Sequence, residues 1–202
     1  MALWLEPLPI ILASRSPARR DMLKAAGIPT ELHPADIDER AVEARAGPLS
    51  PGEAATLLAR EKARVGGTNF TGRYVVGADQ TLALGNSRFS KPRDREAARE
   101  QLRTLAGKTH ELHSAVAVSR DGRVVFSQVD TARLTMRFLS DRFIEAYLDE
   151  AGDSVSTTVG GYQLEKLGIQ LFERIEGDHF TILGMPLFAL LGFLRREGRL
   201  AS

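Results

Sequence analysis

The chain of 202 residues contains no cysteine. Disulfide bonds, thiolate catalysis and cysteine-ligated zinc sites are therefore excluded, and the composition fits a reducing compartment. An excess of charge of one sign is missing too, because 27 Lys and Arg residues offset 26 Asp and Glu residues to a net charge of +1. Dedicated nucleic-acid binders usually carry a broad basic excess, so we expect no stable nucleic-acid binding, and any positive site must be local.

Long hydrophobic runs are also missing. No apolar stretch approaches the roughly 18 residues that a membrane span requires. The N-terminal sequence MALWLEPLPIILAS lacks a charged leader region, and Glu6, Pro7 and Pro9 interrupt its apolar run. We therefore expect no secretory signal and no membrane association, and predict a cytoplasmic protein.

Several common catalytic motifs are absent. Neither the G-x-x-x-x-G-K-[ST] phosphate loop nor the G-x-S-x-G nucleophile motif occurs, which argues against P-loop NTPases and serine hydrolases. His110 and His113 form HELH, whose spacing differs from that of the H-E-x-x-H zinc motif. In a strand, the two rings would point to opposite faces, so no zinc site is expected here.

The order of predicted elements indicates the fold class. Strand patterns predict strands over 8–14 and 73–84 and near 169–175, and a short strand followed by an acidic loop over 30–40. Helix and turn patterns predict helices over 17–26, 94–109, 140–153 and 186–196, a further helix within 47–66 with a Ser50-Pro51 start, and a hairpin turned at Asp121-Gly122. An acidic loop is expected to include 36–39, and a Gly/Thr/Ser loop to span 152–161. The strand over 73–84 is expected to break at Gly77 and resume after Asp79. This order favours an α/β fold with a mixed central sheet flanked by helices.

Hydroxyls and guanidinium groups are concentrated at the first predicted strand-to-helix turn. Ser14, Ser16, Arg19 and Arg20 lie there within seven positions. Cations are unfavourable at a helix N-terminus, which is already positive, unless an anion such as phosphate binds. The segment is therefore either an anion-binding turn or a solvated basic first turn with an ordinary serine cap.

Other candidate residues are individually ambiguous. Asp79, placed at the end of an apolar strand, can hold a divalent metal, activate water or simply form a turn. Glu39 in the acidic run DIDE is either a metal ligand or solvated. Lys91 precedes Pro92 in a loop-like stretch, and Lys62, next to Glu61 in a helix, is expected by default at the surface.

Six ordered segments together resemble the Maf family of nucleoside triphosphate pyrophosphatases over nearly the whole chain. They are ILASRSPARRDMLKAAGI, DIDE, LAREKA, VVGADQT, SKPRDREAAREQLRTLAGKTHELHSAVAV and GGYQLEKLGIQLFERIEGD followed by ILGMPL. The resemblance implies hydrolysis of a nucleoside triphosphate to the monophosphate and pyrophosphate. It also implies one elongated domain over 1–202, similar to inosine triphosphatases, with two lobes around one cleft, a divalent metal such as Mg²⁺ or Mn²⁺, and usually a homodimer.

The resemblance also assigns residues. It matches Asp79 to the catalytic carboxylate, and it implies that Asp79 and Glu39 together hold the metal. It also matches a set of polar residues to the phosphate-binding positions. These are Ser14, Ser16, Arg19, Arg20, Lys62 and Lys91.

Three positions bear on which base is preferred. The family branch that favours dTTP and UTP usually has Arg, Thr and Gln where this chain has Ala18, Gln80 and Glu165. Gln80 and Glu165 resemble the branch associated with 7-methyl-GTP, although that branch tends to have an aromatic residue at the position of Ala18. A carboxylate can accept both guanine donors, N1–H and the 2-amino group, whereas thymine offers one donor. We therefore predict a guanine-type base, with dTTP or UTP as the alternative.

Two other functions stay open at this point. Members of the family are thought to clear non-canonical nucleotides, and some are linked to inhibition of septum formation, so a non-catalytic nucleotide-binding regulator is the second hypothesis. A nucleic-acid-binding module is the third, because PRDREAAREQLR is rich in arginine. Its charges alternate in sign at helical spacing, which is typical of a solvated helix face.

Overall fold

The computed structural model describes residues 3–201. They form two compact units: unit 1 comprises the chain up to Gln80 together with 113–130 and the part from Asp178 onward, and unit 2 comprises 81–112 and 131–177. The strands are β1 (Ile10–Leu12), β2 (Thr30–Leu32), β3 (Tyr74–Leu84), β4 (Ser87–Phe89), β5 (Thr109–Arg120), β6 (Arg123–Met136) and β7 (Phe172–Glu176). The helices are α1 (Pro17–Ala25), α2 (Glu39–Ala46), α3 (Pro51–Gly67), α4 (Arg95–Leu105), α5 (Asp141–Ala151), α6 (His179–Ile182) and α7 (Leu187–Arg196). The expectation of one two-lobed domain over 1–202 stays a prediction.

The strands form a mixed sheet in the order β2-β1-β3-β5-β6-β7, with β4 paired to β3. β1 runs parallel to both neighbours, with Ile10 opposite Thr30 and Ile11 opposite Val75. The pairs β3–β4 and β6–β7 are antiparallel. The predicted α/β class with a mixed central sheet is confirmed.

Unit 1 buries both faces of β1 and of its part of β3. Alternate residues of β1 and β3 face opposite sides, as the period of a strand requires. On one side Leu12, Val76 and Ala78 join the large apolar core that includes residues of α1 and α7. On the other side a row of small residues brings α3 close to the sheet: Ala55, Ala59, Ala63, Ala115 and Ala117. The central strands of unit 1 therefore have helices on both faces.

Local sequence signals specify the starts of α1 and α3. Ser16 caps α1 by accepting from the backbone N–H of Arg19, and Pro17 opens the helix. Ser50 and Glu53 form a reciprocal capping box at the start of α3. The predicted hairpin turn is confirmed, with φ of 51° at Asp121 and 72° at Gly122, as a two-residue turn with both residues left-handed requires.

Three expectations about local structure were wrong. The acidic run is not a loop throughout, because Asp38 caps a helix and Glu39 is its first residue. The stretch 152–161 contains short 3-10 turns. β3 does not break at Gly77 but runs unbroken through Asp79, which therefore lies inside the strand. A Cβ at position 77 would stand 2.2 Å from the Ala59 carbonyl oxygen, so this glycine permits close approach of α3 to the strand.

Unit 2 joins helices α4 and α5 through ion pairs. Glu145 on α5 accepts from Arg95 and Arg99 on α4. His110 of β5 is fully buried and hydrogen-bonded to the hydroxyl of Tyr162 at 2.7 Å.

Across residues 3–201, no helix has both the length and the apolar character needed to cross a membrane.

Candidate active site

The candidate site is built on the middle of β3. Gly77 and Asp79 face α3, and Ala78 faces the core on the opposite side of the sheet. Because Gly77 lets α3 approach closely, a long side chain on the next turn of that helix reaches Asp79. That side chain is Lys62.

Lys62 links two carboxylates. Its Nζ lies 2.6 Å from Oδ1 of Asp79 and 2.7 Å from Oε1 of Glu39. The side chains of Lys62 and Asp79 are only 13% and 11% exposed, whereas Glu39 is 51% exposed. The default expectation that Lys62 lies at the surface was wrong. Among the described residues 3–201, the hydrogen bond to Asp79 uses Oδ1 and leaves Oδ2 without a protein partner.

Arg19 is fixed by three acceptors of unit 1. Its Nε donates to the Gly184 carbonyl at 2.9 Å, and its Nη1 donates to the Ala78 carbonyl at 2.8 Å and to Ser14 Oγ at 3.2 Å. Within the described part of the chain, Nη2 makes no hydrogen bond to protein. Its two N–H groups are therefore available to a ligand.

Burial and charge act against each other here. Burial raises the pKa of Asp79, while the nearby cations Lys62 and Arg19 oppose that rise. Burial likewise lowers the pKa of Arg19, and the negative charges of Asp79 and Glu39 oppose the decrease. A buried carboxylate whose pKa is raised accepts a proton more readily than an exposed one, which is what a general base requires.

The two predicted serines lie beside Arg19. Ser14 is buried, and its Oγ accepts from the Ser16 backbone N–H at 3.2 Å as well as from Arg19. Ser16 Oγ accepts from the Arg19 backbone N–H at 3.4 Å. Both hydroxyls act as acceptors in these contacts, so their hydrogens can be donated to an anion.

Four further predicted residues lie on α1 or in unit 2. Arg20 is about half exposed and pairs with its neighbour Asp21 at 2.8 Å. Ala18 is half-buried in the first turn of α1. Lys91 and Glu165 are exposed residues of unit 2. The structure thus brings Ser14, Arg19, Glu39, Lys62 and Asp79 together in unit 1, and the assignment of each role stays a prediction.

Sequence reasoning missed the backbone acceptors around Arg19 and the contacts of Gln80. The Gln80 amide nitrogen lies 2.9 Å from Ser114 Oγ and 2.9 Å from the Ile182 carbonyl. Gly184, whose carbonyl accepts from Arg19, lies in the segment ILGMPL, which only the family resemblance singled out. A backbone carbonyl that accepts a hydrogen bond leaves no signature in the sequence. The spacing of Ser114 and Gln80 also gave no signal, because they lie on separate strands.

The donor set can be compared with that of a metal site. Across residues 3–201, no group of three His, Asp or Glu side chains is placed to hold a metal ion. Asp79 and Glu39 nevertheless offer two carboxylates that converge on one cation, the Lys62 ammonium. Mg²⁺ is usually held by one or two carboxylates together with substrate phosphates and water, so these residues fit a metal that binds with a phosphate ligand.

Taken together, the fold and the site define an α/β protein with a buried carboxylate flanked by Lys and Arg, an arrangement suited to a polyanionic ligand. The chain belongs to the Maf-like protein family, whose model matches residues 9–197. The resemblance found in the sequence is thereby confirmed.

Relatives match the whole chain or nearly all of it. A protein of Rhodopseudomonas palustris strain HaA2, named nucleoside triphosphate pyrophosphatase, is 56% identical over 201 residues and covers 100% of both chains. A 7-methyl-GTP pyrophosphatase of Brucella abortus biovar 1 is 50% identical, covering 93% of this chain and 96% of its own. Among solved structures, a HAM1 protein from Coxiella burnetii matches with a TM-score of 0.44 and 17% identity, covering 64% of this chain and 73% of its own.

Proposed function

We propose that this protein is a nucleoside triphosphate pyrophosphatase, which hydrolyses the bond between the α- and β-phosphates to release a nucleoside monophosphate and pyrophosphate. The observation that carries this proposal is the contact of buried Asp79 with Lys62, in the same unit as the Arg19 guanidinium. Membership of the Maf-like family and the names of the relatives support it.

The proposed reaction assigns a proton acceptor and several sources of positive charge. Water adds across the phosphoanhydride bond, and its proton passes to Asp79, whose Oδ2 is the oxygen not bonded to Lys62. Charge that develops on the leaving pyrophosphate is stabilised by Lys62 and by the Nη2 edge of Arg19. Ser14 and Ser16 donate their hydroxyl hydrogens to phosphate oxygens.

A divalent metal, Mg²⁺ or Mn²⁺, completes the proposed site. Asp79 and Glu39 would hold it together with a phosphate ligand, because two carboxylates alone make a weak site. When bound, the metal supplies charge neutralisation at the phosphates. Lys62, which pairs with both carboxylates in this structure, would then be free to pair with the triphosphate.

For the base, we propose a guanine type, 7-methyl-GTP included. Support comes from the carboxylate of Glu165, which is exposed and can accept from guanine N1–H and the 2-amino group. The name of the Brucella relative is in line with this choice. Preference for dTTP or UTP is the competing outcome.

We also propose that the protein acts in the cytoplasm as a homodimer. The lack of cysteine and the absence of a membrane-crossing helix among residues 3–201 are compatible with the cytoplasm. The dimer follows from the family resemblance alone. Light scattering coupled to size exclusion tests it, since a mass near 22.1 kDa would indicate a monomer.

The first experiment measures pyrophosphate release with Mg²⁺ or Mn²⁺ over a panel of 7-methyl-GTP, GTP, ATP, CTP, UTP and dTTP. Asp79→Asn is the catalytic variant, and Asp21→Asn, at an exposed carboxylate, is its matched control. We expect roughly a 1,000-fold loss for Asp79→Asn with nucleotide binding retained, and an unchanged rate for the control.

The panel also tests the assignment of the base. Release from 7-methyl-GTP or GTP that Glu165→Gln reduces would support Glu165 as the residue that recognises guanine. Preference for dTTP or UTP would keep the enzyme and overturn the base. Binding of nucleotides without any release by the folded wild type would contradict the enzyme and favour a nucleotide-binding regulator of septum formation.

A further inference from the structure

We propose that Gln80 is a positioning residue, which holds the segment Asp178–Gly184 so that the Gly184 carbonyl orients Arg19. The inference rests on the proposed function for its catalytic consequence, but its structural part stands separately. It gives Gln80 a role different from the base recognition that the family resemblance assigns to this position.

The Gln80 amide is anchored by its nitrogen. The nitrogen lies 2.9 Å from the Ile182 carbonyl, 3.2 Å from the Thr181 carbonyl and 2.9 Å from Ser114 Oγ. Backbone carbonyl oxygens only accept hydrogen bonds, so the group that faces them must be the NH₂ and not the oxygen of the amide. Both amide hydrogens are therefore committed to unit 1.

The segment that Gln80 holds is fixed from two further directions. Ser114 is fully buried and donates to the Thr181 carbonyl at 2.6 Å. The Asp178 carboxylate accepts from the Thr181 backbone N–H at 2.9 Å and from its hydroxyl at 3.1 Å. Thr181 is itself buried. The Thr181 carbonyl thus receives two side-chain donors, an arrangement that fixes a backbone position closely.

The other end of the segment meets Arg19. The Gly184 carbonyl accepts from Arg19 Nε at 2.9 Å, two residues after the carbonyl of Ile182 that Gln80 holds. Gly184 has φ of +103°, a conformation that favours glycine, and a Cβ there would stand 3.4 Å from Arg19 Nη2. A shift of residues 181–182 therefore moves the acceptor that sets the direction of the guanidinium.

These contacts limit what Gln80 can do for a base. With its NH₂ committed, only Oε1 is left, and that oxygen can accept but not donate. Asp79 precedes Gln80 in β3, so one strand carries both the proposed proton acceptor and the anchor of the segment beside Arg19. Loss of the anchoring contacts of the Gln80 amide nitrogen should therefore affect every nucleotide alike.

The test combines two readouts on Gln80→Glu and Ser114→Ala. Glutamate keeps the shape of glutamine but places an acceptor against the Thr181 and Ile182 carbonyls. Ser114→Ala removes one donor to Thr181 from a fully buried position that no base can reach, and it keeps the test open if Gln80→Glu does not fold. The first readout is hydrogen exchange at the amides of Leu183, Gly184 and Met185, all bonded within the segment. The second is kcat/KM across the nucleotide panel.

We expect faster exchange at these amides in both variants without nucleotide. We also expect a loss of kcat/KM of roughly 10- to 100-fold for Gln80→Glu, equal for all bases within about threefold. Unchanged exchange together with a changed base preference would overturn the proposal. If the wild type hydrolyses no nucleotide, the proposed function fails, while the exchange readout still decides whether Gln80 holds the segment.

Discussion

Lys62 and Asp79 are 17 residues apart in the chain, yet the Lys62 ammonium lies 2.6 Å from Oδ1 of Asp79. The same ammonium lies 2.7 Å from Glu39. A positive charge therefore already occupies the position between the two carboxylates to which the proposed metal is assigned. Lys62 and a metal ion must compete for this pair, and phosphate groups that attract Lys62 would release it.

The first prediction concerns this competition. Lys62→Met should strengthen Mn²⁺ binding in the absence of nucleotide by roughly tenfold or more, because it removes a cation beside the carboxylates. Free Mn²⁺ is measured by electron paramagnetic resonance during titration of the protein. Lys24→Met, at an exposed lysine of α1, is the control and should bind Mn²⁺ like the wild type. Equal affinity in wild type and Lys62→Met would place the metal elsewhere.

Local features of the fold were predictable from the sequence because their causes lie within a few residues. Ser16 and Pro17 specify a helix start on their own, and Asp121-Gly122 specifies a turn. The break expected at Gly77 was wrong because a glycine inside an apolar strand pattern can mark either a break or a close approach of another backbone. Only the close approach of the Ala59 carbonyl, which comes from another element, distinguishes the two.

The site was predictable in its residue types but not in its geometry. A surface role was expected for Lys62 because its sequence neighbours Glu61 and Arg64 are charged, whereas its partner Asp79 comes from another element. Arg19 was expected to contact phosphate, but three of its N–H groups already donate to protein acceptors. Two of these acceptors are the carbonyls of Ala78 and Gly184, which lie 59 and 165 positions away in the chain. Contacts over such separations leave no periodic pattern.

The second prediction separates the two neighbouring arginines. Arg19→Lys should lower the free energy of unfolding by roughly 2–4 kcal/mol, because a lysine leaves buried carbonyls such as that of Ala78 without donors. It should also reduce kcat/KM by about 100-fold. Arg20→Lys, at a position where Asp21 is the partner, is the matched control and should leave both nearly unchanged. Urea unfolding and pyrophosphate release provide the measurements, and equal losses of activity would place Arg20 at the phosphates as well.

The third prediction tests the packing that brings Lys62 to Asp79. Gly77→Ala should destabilise the protein by roughly 3 kcal/mol or more, because the new Cβ would stand 2.2 Å from the Ala59 carbonyl oxygen. Gly52→Ala is the control, since a Cβ there would meet its nearest neighbour, the His113 ring, at 3.6 Å, an ordinary contact. Thermal unfolding distinguishes the two. A Gly77→Ala protein as stable as Gly52→Ala would show that α3 can move away from β3 at little cost.

The last prediction concerns His110, whose ring is fully buried beside Tyr162. Burial lowers the pKa of His110 from 6.5 to about 4 in the folded protein. The unfolded chain therefore binds a proton more readily, so the stability from this residue is complete above about pH 6.5 and is lost as the pH falls toward 4. Between pH 7 and pH 5 the lost free energy is about 2 kcal/mol.

The variant His110→Phe should remove this dependence. Its urea midpoint at pH 7 should be lower than that of the wild type, because the hydrogen bond to Tyr162 is lost, but it should fall less between pH 7 and pH 5. Far-UV circular dichroism follows the unfolding at both pH values. His33→Phe, at an exposed histidine, should keep the wild-type decrease. The same decrease in wild type and His110→Phe would mean that other groups, and not the burial of this imidazole, set the acid sensitivity of the fold.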